Sequence, residues 1–144
     1  MSQHAETSNL TGSCLCGAVR FRVQGQPLRF YHCHCQRCRK ANGTGHATNL
    51  LLETSGDVEW ISGAELIQRF KVPDAERFST AFCTTCGSPL PRYYAARGFT
   101  VIPAGVLDSE PPIMPQARIF FGSRAAWSCA DDVLPVHDTY APTT

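Results

Sequence analysis

No stretch of this chain is apolar for long enough to cross a bilayer as a helix, which takes about 20 residues. The opening residues, MSQHAETSNLTG, carry no basic segment followed by an apolar one, so they do not read as a secretory signal. Residues 1–10 are expected to be a flexible leader. Excess charge is also missing: 13 Lys and Arg stand against 12 Asp and Glu, a formal net charge of +1. That balance gives no electrostatic reason to expect nucleic acid or an anionic membrane as partner. Repeats of 20–50 residues, low-complexity tracts and linkers are absent too, which leaves a single domain. The remaining composition, 43% apolar and 17% charged, is that of an ordinary folded protein. A chain of 144 residues is long enough to bury roughly 70% of its unfolded surface.

Cysteine, by contrast, is plentiful: eight residues, seven of them in three tight groups. A chain without an export signal is expected in the reducing cytoplasm, where disulfides do not persist. The groups Cys14-x-Cys16, Cys33-x-Cys35-x-x-Cys38 and Cys83-x-x-Cys86 have the spacing of metal ligands. Cys129 stands alone and reads as a small buried residue.

The strand signals are short and numerous. Val19, Phe21 and Val23 alternate with Arg20 and Arg22, a half-buried strand. Gly25 and Pro27 mark a turn, with residues 28–35 as the returning arm of a hairpin. Alternation along that arm puts Cys33 and Cys35 on one face and His32 and His34 on the other, away from a metal. Residues 36–42 read as a helical turn stopped by Gly43, and residues 46–52, 58–62, 66–72, 77–82, 90–94, 99–103 and 117–121 as further strands. Residues 110–115, EPPIMP, are rigid and extended, and residues 122–127 read as a turn or short helix. The fold class is mainly β.

Tetrahedral zinc takes four ligands. The first and last groups sum to four, and each ends in Cys-Gly, at Gly17 and Gly87, where glycine lets the backbone turn N–H groups toward sulfur. Cys14, Cys16, Cys83 and Cys86 are therefore expected to close one structural zinc site. The middle group, Cys33, Cys35 and Cys38, supplies three thiolates and leaves a corner open, the hallmark of a zinc that does chemistry. A metal with three thiolates carries a net −1 charge, which favours neighbouring cations such as Arg37, Arg39 and Lys40.

Taken together, Gly12-Ser13-Cys14-Leu15-Cys16-Gly17, Cys33-His34-Cys35-Gln36-Arg37-Cys38-Arg39-Lys40, Phe82-Cys83-Thr84-Thr85-Cys86-Gly87-Ser88, Ala104-Gly105-Val106-Leu107-Asp108 and the closing stretch Ile119 to Trp127 resemble the glutathione-dependent formaldehyde-activating (GFA) family. The resemblance spans residues 11–138, with residues 139–144 as a tail. It implies a β-tent fold of small antiparallel sheets pinned by zinc, with the same two ligand sets. It implies a carbon–sulfur lyase that condenses a thiol, glutathione in the namesake, with formaldehyde. Two positions depart from the family pattern: Gly45-His46 stands where many members have Pro-Phe, and Arg118 where many have His. Cys33, Cys35 and Cys38 are the expected catalytic centre, and Arg39, Lys40, His46 and Arg118 the candidates for substrate binding. The alternative is a non-catalytic zinc scaffold or binding module, as in relatives resembling the centromere protein V. The basic and Pro-rich extensions of those relatives have no counterpart here. A redox role for Cys83-x-x-Cys86 has no thioredoxin-like βαβ pattern around it.

Overall fold

A computed structural model describes residues 7–128 and 134–142. The fold hangs on one strand, β2 (Arg20–Cys33), 14 residues long. Its first half pairs antiparallel with β1 (Ser8–Ser13) and β4 (Glu59–Ser62). Its second half pairs antiparallel with β3 (Ala47–Glu53) and, on the other edge, parallel with β9 (Ala117–Ile119). Beyond β3 come β8 (Phe99–Pro103) and then β7 (Arg92–Tyr94). A single strand thus passes from a small sheet β1-β2-β4 into a larger sheet β9-β2-β3-β8-β7. A separate hairpin, β5 (Ile67–Lys71) and β6 (Ser79–Cys83), completes a mainly β, tent-like fold.

The hairpin turn expected at Gly25 and Pro27 is not there: β2 runs straight through. The register slips between Pro27 and Arg29, which leaves Leu28 as an extra residue, a bulge. Proline is tolerated at such a position because the ladder is already interrupted. Gly25 is required for a different reason, since a Cβ there would meet the Glu53 carbonyl oxygen at 2.2 Å. The bulge also shifts the side-chain alternation by one residue. Phe21 and Val23 face the core before it and Phe30 after it. Arg29, Tyr31 and Cys33 are thereby released to the opposite face.

Two other boundaries differ from expectation. β1 starts at Ser8, inside the stretch expected to be a flexible leader, because Leu10 is buried in the core and anchors it. The last strand stops at Ile119 rather than 121, because Phe120 takes left-handed backbone angles (φ 53°) that end extension. The solitary Cys129 lies outside the described residues.

The core between the sheets holds Leu10, Phe21, Val23, Phe30, Leu50, Leu52, Val58 and Ile102. Fully burying one such side chain contributes about 1.5–3 kcal/mol. Two smaller clusters are built around cysteine: Cys14, Val19, Ala81, Cys83 and Leu90 in one, Cys33, Cys38 and Ala47 in the other.

Candidate metal centres and the cavity beside them

The four-cysteine group is made by two matching turns. Cys14 and Cys16 follow β1, while Cys83 ends β6 and Cys86 follows it. In the first, Gly17 N–H donates to Cys14 O (3.1 Å) and Val19 N–H donates to Cys14 Sγ (3.3 Å). In the second, Gly87 N–H donates to Cys83 O (2.7 Å) and Thr85 N–H donates to Cys83 Sγ (3.4 Å). Gly17 and Gly87 have φ of 81° and 79°, a region that glycine enters without strain. Ser88 ties the two turns together: its hydroxyl accepts the Leu15 N–H at 2.7 Å and lies 3.3 Å from Cys86 Sγ.

The four sulfurs lie within 4.8 Å of one another. Cys14 and Cys16 are 3.6 Å apart at sulfur, Cys16 and Cys83 4.0 Å. Zinc–sulfur bonds of about 2.3 Å in a tetrahedron place the sulfurs roughly 3.8 Å apart. The group is therefore sized for one such ion. Its protonation points the same way. The Ser88 hydroxyl holds the Cys86 thiol down at about 5. The Ala18 N–H favours the Cys16 thiolate, yet its own hydrogen bond to Cys14 and the crowding of sulfurs push it up to about 11. Sulfurs this close share protons unless a cation lets all of them ionise.

The three-cysteine group sits where β2 meets the helix α1 (Gln36–Asn42). Cys33 ends the strand. Cys35 is the helix N-cap, and its sulfur accepts the Cys38 N–H at 3.4 Å, as a capping oxygen would. Capping fixes Cys35 against Cys38, and the strand end brings Cys33 to both. A hydrogen bond from Cys38 pulls the Cys33 thiol down to about 6, whereas that bond and burial push Cys38 well above the usual thiol range. Among the described residues no fourth His, Cys, Asp or Glu joins this group.

His32, His34 and His46 gather together instead. The His46 ring lies 4.3 Å from His32 and 5.0 Å from His34 between centroids. Thr48 Oγ1 bridges His32 Nδ1 (3.0 Å) and His46 Nδ1 (3.2 Å). His34 is fully buried, edge-on to Phe121, with Arg118 Nη1 donating to its Nε2 at 3.3 Å. Burial, aided by the charges of His46 and Arg118, lowers the pKa of both His32 and His34, so both favour the neutral ring.

Beside the three cysteines opens a cavity of about 470 Å³, within the usual range for small-molecule sites. Its floor is the outer face of the larger sheet, and the strand register sets its layout. Cys33 pairs with Ala47 at the inner end, and Tyr31 pairs with Asn49 in the next row. One row further lie Arg29, Leu51, Val101 and Arg92, side by side across four strands. Phe99 and Tyr94 follow in the outermost row. Phe78 and Arg77 make one wall, Ile119 and Phe120 the other. Arg92 Nη1 donates to Ser79 O, while its Nε is buried without a partner. Burial lowers its pKa, offset in part by Tyr94 and Cys38.

The four substrate-binding candidates selected from sequence, Arg39, Lys40, His46 and Arg118, do not line this cavity. Arg39 donates to Ser123 O at 3.1 Å, and Lys40 is exposed on the same helix. His46 and Arg118 belong to the histidine group. Sequence reasoning passed over Arg29, Asn49 and Arg92. For Arg29 a signal was available, since residues 29, 31 and 33 share a face by period two. For Arg92 there was none, because only the pairing of β7 with β8 and β8 with β3 brings it near.

The fold and the thiol groups define a mainly β protein with two candidate metal centres, one with four ligands and one with three beside a cavity. The profile of the glutathione-dependent formaldehyde-activating enzymes (GFA) matches residues 9–123, and the chain belongs to that family. A relative from Halomonas elongata, provisionally named a glutathione-dependent formaldehyde-activating enzyme, is 38% identical over 115 residues, which is 74% of this chain and 71% of the relative. A crystal structure of a Rhodobacter sphaeroides protein superposes with a TM-score of 0.54 at 21% identity, covering 75% of this chain and 98% of that one, and so shares the fold.

Proposed function

We propose that the chain is a zinc-dependent carbon–sulfur lyase that adds a small carbonyl electrophile such as formaldehyde to glutathione or a related thiol, or removes it. Cys14, Cys16, Cys83 and Cys86 hold a structural zinc, and Cys33, Cys35 and Cys38 hold the catalytic one. The observation that carries this reading is the placement of a three-sulfur group at the inner end of a cavity that also presents arginines. Bound there, Zn²⁺ supplies the charge that lets a substrate thiol ionise at neutral pH.

The chain's own groups do the rest. The Asn49 amide is a donor on the cavity floor one row from Cys33, suited to an oxygen on which negative charge develops. Addition forms the carbon–sulfur bond, the carbonyl oxygen takes up a proton, and the thiol proton passes to water. Removal breaks the same bond, leaves the electron pair on sulfur and returns the hydroxyl proton. Tyr31 and Ile119 flank Cys33 at the inner end. Two groups of unbridged thiols need a reducing compartment, which supports a cytoplasmic location. Among the described residues no helix is long and apolar enough to cross a membrane.

The test is zinc per chain by elemental analysis, on the native protein and on Cys33→Ser, followed by glutathione titration and a formaldehyde assay. Two zinc falling to one, with the variant folded and both glutathione binding and turnover lost, is the expected result. One zinc in both proteins, with no thiol bound, would replace the enzyme with a zinc-stabilised scaffold.

A further inference from the structure

The cavity is larger and more apolar than a one-carbon electrophile needs. We propose that it selects thiol conjugates whose electrophile-derived half is a bulky apolar group, with Arg92 holding a carboxylate of the thiol half. This rests on the reading of the three-cysteine group as a thiol site.

Three observations carry it. The first is the floor. Between the sulfurs and the outer row lie Tyr31, Leu51 and Val101, with Phe99 and Phe78 beyond. A hydroxymethyl group offers these side chains almost no surface to cover, and glutathione itself is mostly peptide and carboxylate. Apolar floor becomes affinity only when the ligand brings apolar surface of its own.

The second is Arg92. Its Nη1 has the Ser79 carbonyl as partner, its Nε is buried with none, and no carboxylate of a described residue pairs with it. A buried guanidinium without a counter-anion is costly, and a planar fork of donors fits a carboxylate. Arg29 shares its row on the far side of the sheet, about 13 Å along β2 from Cys33 at roughly 3.3 Å per residue. Arg97, in the turn between β7 and β8, stacks over Phe99 at 5.6 Å. The cavity therefore has cationic positions at both ends of an apolar span.

The third is Phe120. It is a non-glycine residue in the left-handed region, and its side chain lines the cavity while the residue stays 63% exposed. Strained backbone that keeps an aromatic ring uncovered at a cavity mouth is the kind of cost that persists at ligand sites.

Isothermal titration of the zinc-loaded, full-length protein with glutathione, S-methylglutathione and S-hexylglutathione tests the idea without relying on turnover. Each buried methylene is worth about fourfold in affinity. S-hexylglutathione should therefore bind at least about tenfold more tightly than S-methylglutathione. Phe120→Gly, which keeps the backbone relaxed and removes only the ring, should cut the ratio of hexyl to methyl affinity several-fold. Arg92→Met should weaken all three ligands, with Arg92→Lys restoring part of the loss. Equal or weaker binding of the hexyl conjugate, with glutathione still bound, overturns this inference and leaves the thiol site standing. No binding of any of the three overturns both.

Discussion

The two cysteine groups use the same chemistry on different scaffolds. The four-cysteine group joins turns at residues 14–17 and 83–87, far apart in sequence, tied to each other by the ligands, Ser88 and a small buried cluster with Val19, Ala81 and Leu90. The three-cysteine group is local, set by a strand end and a helix cap two residues apart, and one flank opens on a cavity. A ligand set assembled from distant segments holds the chain together. A ligand set already positioned by local structure can spare a corner for something else.

That contrast is easiest to break at Cys83. Structural zinc binding is worth on the order of 10–16 kcal/mol, as much as the net stability of a whole domain. Cys83→Ser should give insoluble or unfolded protein by circular dichroism, whereas Cys33→Ser should stay folded. A folded Cys83→Ser chain with no zinc at that site would falsify the structural assignment. Leu50→Ala is the control. Leu50 is fully buried between the sheets and belongs to neither cysteine group, so its loss should cost about 2–5 kcal/mol in denaturant unfolding. Zinc content should remain the same.

The finest effect should come from Ser88→Ala. The hydroxyl favours the Cys86 thiolate, so removing it makes that sulfur more basic and strengthens proton competition for it. Zinc should leave the four-cysteine site at a higher pH in an acid titration with a chromogenic chelator. The other site should be unmoved.

The division of seven cysteines into four and three was legible in the sequence because ligand number and the Cys-Gly turns are local facts. So was the helix after Cys35, which Gly43 stops. The path of β2 was not. Gly25 and Pro27 usually mark a turn, but here one admits the Glu53 carbonyl and the other sits at a bulge, and neither cause is visible until β3 is in place. The cavity was half legible: Arg29 and Tyr31 share the face of Cys33, but Arg92 arrives through two further strands.

The distance between Cys14 and Cys86 along the chain also sets an order of events during synthesis. The triplet is complete once residue 38 has left the ribosome, but the four-ligand site must wait for residue 86. At about 5–20 residues per second that interval is roughly 2–10 s. Throughout it the nascent chain displays five thiols and no finished tetrahedral site. On the proposed assignment, the first ion to arrive would meet Cys33, Cys35 and Cys38 with only Cys14 and Cys16 as rivals, so the open centre would fill first and the pinning of the tent would come last.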